Sequence, residues 1–260
     1  MHILNRLSAN FNTFGNVPQQ MLVKTKAILI HNVRYSDNSL IAHFYTQEYG
    51  RLSVMVKGIS SRKKGSRFSY FQPLNIFNLE LYHYENREIH NLKEMSLAFI
   101  PKANPGDIHR TSVALFISEI LYNVIREEDA NRMLYDFIES SVITLDSITA
   151  GISNFHLWFL VAFTAYAGIG PSHTRLHDCY FDMLTGQFTT LQPMHPDYLD
   201  VRNSTILNSL LQMPAEKIAS LQLSGEERTE LLGLILKYYN LHLTGIRQIR
   251  SLQILKDIFR

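Results

Sequence analysis

Between Glu48 and Glu80 the sequence carries no aspartate or glutamate, and this acid-free stretch holds Arg51, Lys57, Arg62, Lys63, Lys64 and Arg67, with Phe68, Tyr70 and Phe71 just after. Cations that track phosphates, interleaved with rings that stack on bases, are what binding of a single nucleic-acid strand requires; a stacked base contributes about 1–3 kcal/mol. Lys24, Lys26, Arg34 and Tyr35 are expected to extend the same positive face. The plainer alternative is a solvated loop whose rings belong to the core. Catalytic patterns are missing: there is no GxxxxGK[ST] phosphate loop, no HExxH and no GxSxG elbow. His31, Ser36 and Asp37 are neighbours in sequence, but turn residues of this kind are abundant and do not by themselves make a triad. His173, His177, Cys179 and His195 could supply four ligands to zinc, yet their spacing matches no standard finger, so neither a metal nor another cofactor is expected.

These residues need a scaffold, and hydrophobic periodicity supplies one. Leu22–His31, Ser39–Thr46 and Arg51–Lys57 read as strands, the last with Leu52, Val54 and Val56 alternating against Ser53, Met55 and Lys57. Phe77, Leu79 and Leu81 alternate in a fourth, and Arg87–Leu97 makes a fifth. Tyr35-Ser-Asp-Asn38 and Tyr84-Glu-Asn86 read as turns. Five short strands in so few residues predict a small closed barrel, because closure removes exposed edges. The basic stretch, within residues 58–73, is then a long loop between the third and fourth strands.

Pro101, Pro105 and Gly106 mark a change of period. Val113, Phe116, Ile117, Ile120, Leu121 and Val124 form one helical stripe, and Leu134, Phe137, Ile138, Ser141, Val142 and Leu145 form another. A helix from about Ser153 is apolar nearly all round, with Trp158 and Phe155, Phe159 and Phe163 read as a buried cluster. Residues 169–202 lose periodicity and read as an irregular insertion. Helices return at Ser204–Gln212, after the capping box of Ser224 and Glu227 up to about Gly245, and near Ser251–Phe259.

The expected class is therefore α+β: a loose extension over 1–20 with Met21 as a candidate start, an OB-fold barrel over 21–100, and a mostly helical domain over 101–260. Charge follows this division. Residues 1–100 carry 12 Lys and Arg against 6 Asp and Glu, whereas 101–260 carry 13 against 17. The positive surface is thus concentrated on the barrel, and OB-folds bind oligonucleotides across one face and its loops. A single cysteine excludes an intramolecular disulfide and suits a reducing cytoplasm. The longest apolar run, about Phe155 to Gly168, falls short of the ~20 residues that span a bilayer.

Several segments, in order, resemble the RecO family of recombination mediators from Met21 onward. They are Val33-Arg-Tyr-Ser-Asp-Asn-Ser-Leu40, Phe44-Tyr-Thr-Gln-Glu-Tyr-Gly-Arg-Leu-Ser53, Val56-Lys-Gly58, the basic loop with Phe71-Gln-Pro-Leu74, Phe155-His-Leu-Trp-Phe-Leu160 leading to Gly168-Ile-Gly-Pro171, Tyr239-Asn-Leu-His-Leu243 and Ser251-Leu-Gln-Ile-Leu255. Many members carry a four-cysteine zinc module after that Gly-Pro turn. Here only Cys179 remains, while Tyr180-Phe-Asp182 and Gly186-Gln-Phe188 resemble the strand scaffold of the module without its ligands. The resemblance implies a non-catalytic DNA repair and homologous recombination mediator at the nucleoid. Such a protein binds single- and double-stranded DNA, anneals complementary strands, contacts the C-terminal tail of single-strand binding protein, and loads RecA together with RecR, with or without RecF. Two other classes remain open: a protein-interaction adaptor whose barrel only scaffolds, and an RNA-directed OB-fold protein.

Overall fold

Alternation of apolar and polar side chains builds five strands: β1 (Gln20–Ser36), β2 (Ser39–Thr46), β3 (Gly50–Lys57), β4 (Ile76–Tyr84) and β5 (Ile89–Leu97). They close into a barrel in the order β1-β2-β3-β5-β4, antiparallel except for the short parallel seam of β3 with β5. The computed structural model describes residues 20–59, 70–84, 87–104, 106–126, 129–244, 246 and 248–259. Inside the barrel lie Val23, Ala27, Leu29, Leu40, Ala42, Phe44, Leu52, Val54, Val56, Phe77, Leu79 and Leu81, so the inward set follows the period read from sequence.

β1 is longer than its sequence pattern predicts and ends in a two-residue turn at Asp37 and Asn38. Its first half pairs with β4 and its second half with β2, with register shifts between Leu29 and His31 and between Arg34 and Ser36. Each shift inserts an unpaired residue, Ile30 and then Tyr35, and breaks the two-residue alternation that would have revealed the strand beyond His31.

Helices follow as α1 (Ile108–Val124), α2 (Arg132–Ser147) and α3 (Ile152–Phe163). Residues 154–161 of α3 are all buried, as expected for the helix at the centre of this core. Trp158 is buried and donates to the Met213 carbonyl at 2.8 Å, and Phe155, Phe159 and Phe163 pack with it. Gly151 starts α3 with φ +77°, and a Cβ there would lie 2.7 Å from the Ala219 nitrogen. Only glycine satisfies both conditions.

The stretch read as irregular carries a small sheet of β6 (Tyr180–Asp182), β7 (Gln187–Thr189) and β8 (Tyr198–Leu199), in the order β7-β6-β8. Strands of two or three residues are too short to show a period. Then come α4 (Val201–Gln212), a 3₁₀ segment Ala215–Ser220, α5 (Gly225–His242) and α6 (Ser251–Ile258). Helix α5 stops at His242, short of the expected end at Gly245, which lies outside the described residues. One barrel wall, through Ile28, Ile30, Tyr45, Leu74 and Ile76, joins the same apolar cluster as α1, α2 and α3. No helix among the described residues is long and apolar enough to cross a membrane.

Candidate nucleic-acid interface

One end of the barrel gathers several of the residues singled out by sequence. The chain leaves β3 at Lys57, and the Ile59 amide donates to the Asn38 carbonyl in the β1–β2 turn at 3.0 Å. It returns at Tyr70 and Phe71, where Asn32 Nδ2 donates to the Phe71 carbonyl at 3.2 Å and Asn75 Nδ2 to the Tyr70 carbonyl at 2.8 Å. The first stem is therefore fixed to the β1–β2 turn and the second to Asn32 in the second half of β1 and to Asn75 just before β4. Arg62, Lys63, Lys64 and Arg67 lie outside the described residues. Around the stems, Arg34, Tyr35, Lys57 and Tyr70 are exposed, Tyr35 by 67% and Tyr70 by 47%. Arg34 Nη2 stands 3.5 Å from Asp37 Oδ1 in a solvent-exposed pair, a contact that water screens strongly.

Lys24 and Lys26 do not join this end. They lie in the first half of β1, opposite Glu80 and Asn78 of β4. Lys24 Nζ is 3.7 Å from Glu80 Oε2, and Lys93 Nζ is 2.7 Å from the other oxygen of that carboxylate. The hydrogen bond from Lys93 holds the Glu80 carboxyl below its ordinary range. Lys26 Nζ lies 3.0 Å from Glu139 Oε1 on α2. Their charge is thus met by carboxylates remote in sequence.

Arg51 is also engaged elsewhere. Its Nη1 donates to the Tyr122 and Ile125 carbonyls at 3.0 and 2.6 Å, and its guanidinium stacks over the Tyr122 ring at 4.4 Å. These carbonyls end α1, where the helix leaves acceptors unpaired and carries partial negative charge, so a cation is favoured there. The contact fastens the barrel to the helices.

His31, Ser36 and Asp37 do not converge. The His31 ring stacks on Tyr122 at 4.3 Å, Ser36 Oγ meets Ser39 Oγ at 2.6 Å, and Asp37 faces Arg34. At the opposite barrel end lies a group that the sequence reading did not assemble: a cleft of about 600 Å³ whose lining includes Tyr49, His83, Tyr84, Arg87 and His90. His83 and His90 stack at 4.6 Å and Arg87 covers Tyr84 at 4.2 Å. Glu48, Glu88 and Asp129 line the same cleft, so it is not a uniformly cationic surface.

The zinc module implied by the resemblance corresponds to the β6–β8 sheet, and the donors present there do not fit the metal. His195 Nε2 lies 3.3 Å from Asp182 Oδ1 while its Nδ1 accepts from the Asp197 amide at 3.2 Å. Cys179 is buried with its thiol against the Leu176 carbonyl, and burial pushes its pKa up, away from the thiolate a metal needs. His173 and His177 are exposed. No three His, Cys, Asp or Glu side chains among the described residues are gathered around one point. Side chains from α5 brace the sheet instead: Lys237 Nζ lies 2.7 Å from Asp197 Oδ1, and His242 Nε2 is 2.7 Å from the Met183 carbonyl.

Comparison with known proteins agrees with this architecture. Residues 21–100 match the family model "Recombination protein O N terminal" and residues 105–252 match "Recombination protein O C terminal". Among similar curated proteins, the "DNA repair protein RecO" of Phocaeicola vulgatus is 34% identical over 240 residues, covering 92% of this chain and all of the relative. That of Azobacteroides pseudotrichonymphae is 35% identical over 241 residues with the same coverage, and that of Flavobacterium psychrophilum is 32% identical over 241.

Proposed function

Since the chain belongs to the RecO family of DNA repair proteins, we propose that it binds DNA at the barrel end formed by the β1–β2 turn and the stems of the basic loop. The observation that supports this reading is that Lys57 and Tyr70, which flank the basic loop, are exposed, as are Arg34 and Tyr35 in the half of β1 to which the loop's stems are hydrogen-bonded. Arg62, Lys63, Lys64 and Arg67 then neutralise phosphates with Lys57 and Arg34. Arg51, Lys24 and Lys26 are left out of the set, because their charge already serves contacts with α1, β4 and α2.

A cationic shelf of this kind screens the repulsion between two strands, which is a sufficient basis for annealing without nucleotide hydrolysis or any catalytic residue. In this reading the chain divides near residue 100. The barrel holds single- or double-stranded DNA, and the helical part meets protein partners. Those partners are the acidic C-terminal tail of single-strand binding protein, RecR, and RecF and RecA during loading of the recombinase at the nucleoid.

The test is a salt titration of oligonucleotide binding. Replacing Arg62, Lys63 and Lys64 with Ala weakens binding and flattens the dependence of log affinity on log salt by about 0.7 per lost contact on single strands. Unchanged affinity and slope would remove the loop from the interface. A strand-annealing assay on DNA coated with single-strand binding protein tests the mediator role itself.

A further inference from the structure

The chain between Tyr70 and Asn75 is pinned at almost every residue. Gln72 to Asn75 form a turn, closed by the Asn75 amide donating to the Gln72 carbonyl at 3.2 Å, with Pro73 second and Leu74 third. Leu74 has φ +65°, the left-handed value that the third residue of a type II turn requires and that glycine or asparagine ordinarily supplies. A leucine is strained there, and its surroundings hold it: Leu74 is 3% exposed and belongs to the apolar cluster of Ile28, Ile30, Ile76 and α1. Its amide donates to the Leu29 carbonyl at 2.9 Å, and the Leu29 amide donates to the Asn75 carbonyl at 3.0 Å. The turn thus docks on β1 where the register shifts between Leu29 and His31.

Ahead of the turn, two side-chain amides grip consecutive carbonyls, Asn75 that of Tyr70 and Asn32 that of Phe71. Asn32 stands opposite the core residue Ala42, and the buried Phe71 ring lies 5.7 Å from that of Phe77 inside the barrel. The Tyr70 side chain is the exception. It is half exposed and makes no hydrogen bond or ring contact with a described residue. Leu74 and Phe71 secure the turn by burial, so what the two asparagines add is the orientation of the backbone at a ring with no partner of its own. An aromatic ring on a fixed backbone has only two torsions left to lose when a flat ligand stacks on it. Arg34 and Lys57 are exposed on neighbouring strands, which suits a ligand that pairs flat rings with phosphates.

We propose that Asn32 and Asn75 are positioning residues for single-strand binding: they hold Tyr70 so that its ring meets one unpaired base without reordering its backbone. The strained turn at Leu74 keeps that segment seated on β1. This inference rests on the DNA-binding reading above and adds the groups that preorganise one of its rings.

The experiment measures binding of oligo(dT), and of an abasic oligomer of equal length that keeps the phosphates, to the full chain and its variants. Tyr70→Ala is expected to lose about tenfold on oligo(dT), the effect of one stacked base, and Tyr70→Phe less than about twofold. Asn75→Ala, alone or with Asn32→Ala, loses about threefold on oligo(dT), the effect of ordering one side chain and its backbone on binding. It loses nothing further once Tyr70→Ala is present, and nothing on the abasic oligomer. Thermal melting identifies the variants that remain folded, and Asn75→Ala carries the test if the double variant unfolds. Asparagine variants that bind oligo(dT) as tightly as the unaltered chain, or that lose equally on both oligomers or on the Tyr70→Ala background, overturn the inference. So does unchanged binding by Tyr70→Ala; in each of these cases the cationic interface stands. If the unaltered chain binds neither oligomer, the DNA-binding reading falls and the positioning role with it.

Discussion

At Arg51 the partners of a guanidinium decide its role. In sequence it stands in an acid-free stretch and reads as a phosphate contact, but the carbonyls it serves come from Tyr122 and Ile125, far along the chain. Replacing Arg51 with Ala removes two charge-assisted hydrogen bonds and leaves α1's last acceptors without this donor, a loss of about 1–3 kcal/mol. Thermal melting should register that loss while the salt dependence of DNA binding is unchanged. Lys57→Ala should do the reverse: a flatter salt slope with little change in melting temperature. Lys24 and Lys26 teach the same lesson, because the carboxylates that meet them belong to β4 and α2, and nothing local to β1 announces them.

Elements were legible where their signals are local. β3 alternates in burial along its whole length, and β4 does so from Phe77 to Tyr82. The capping box before α5 is also local: the Ser224 hydroxyl accepts from the Glu227 amide at 3.2 Å, and the Glu227 carboxylate accepts from the Ser224 amide at 2.7 Å. Ser224→Ala should cost about 1 kcal/mol, measured as a lower denaturation midpoint with unchanged slope. Where strand period was interrupted, as at the two register shifts of β1, the reading from sequence stopped at His31 although the strand continues to Ser36. The half of β1 that was not foreseen is also the half bearing Val33, Arg34 and Tyr35. Arg34 and Tyr35 were legible as residue types in the positive face, and what the local irregularity hid is that a strand carries them.

For the molecule as a whole, several buried imidazoles make stability depend on acid. His43 is lowered to about 4 by burial and then by Arg51 and His31, His90 to about 4 by burial and then by His83, and His156 to about 3 by complete burial and then by Arg228. Neither ring nitrogen of His156 hydrogen-bonds to a described residue. Because these values lie below the ordinary 6.5, the unfolded chain takes up protons first as pH falls. Stability is complete above about pH 6.5 and declines from there toward pH 4. The melting temperature should drop by at least about 3 °C across that window, the shift that about 1 kcal/mol gives in a chain of this size. His156→Leu should make the decline shallower; an equal decline in that variant would remove His156 as a contributor.

Closure of the first five strands has one more consequence. β2 is paired along its length on both sides, whereas β3 and β5 are joined only over Ser53–Met55, so a polypeptide that adds a strand to this wall cannot do so at β2. Whatever docks on the outer face of β2 must therefore recognise the side chains that project from it.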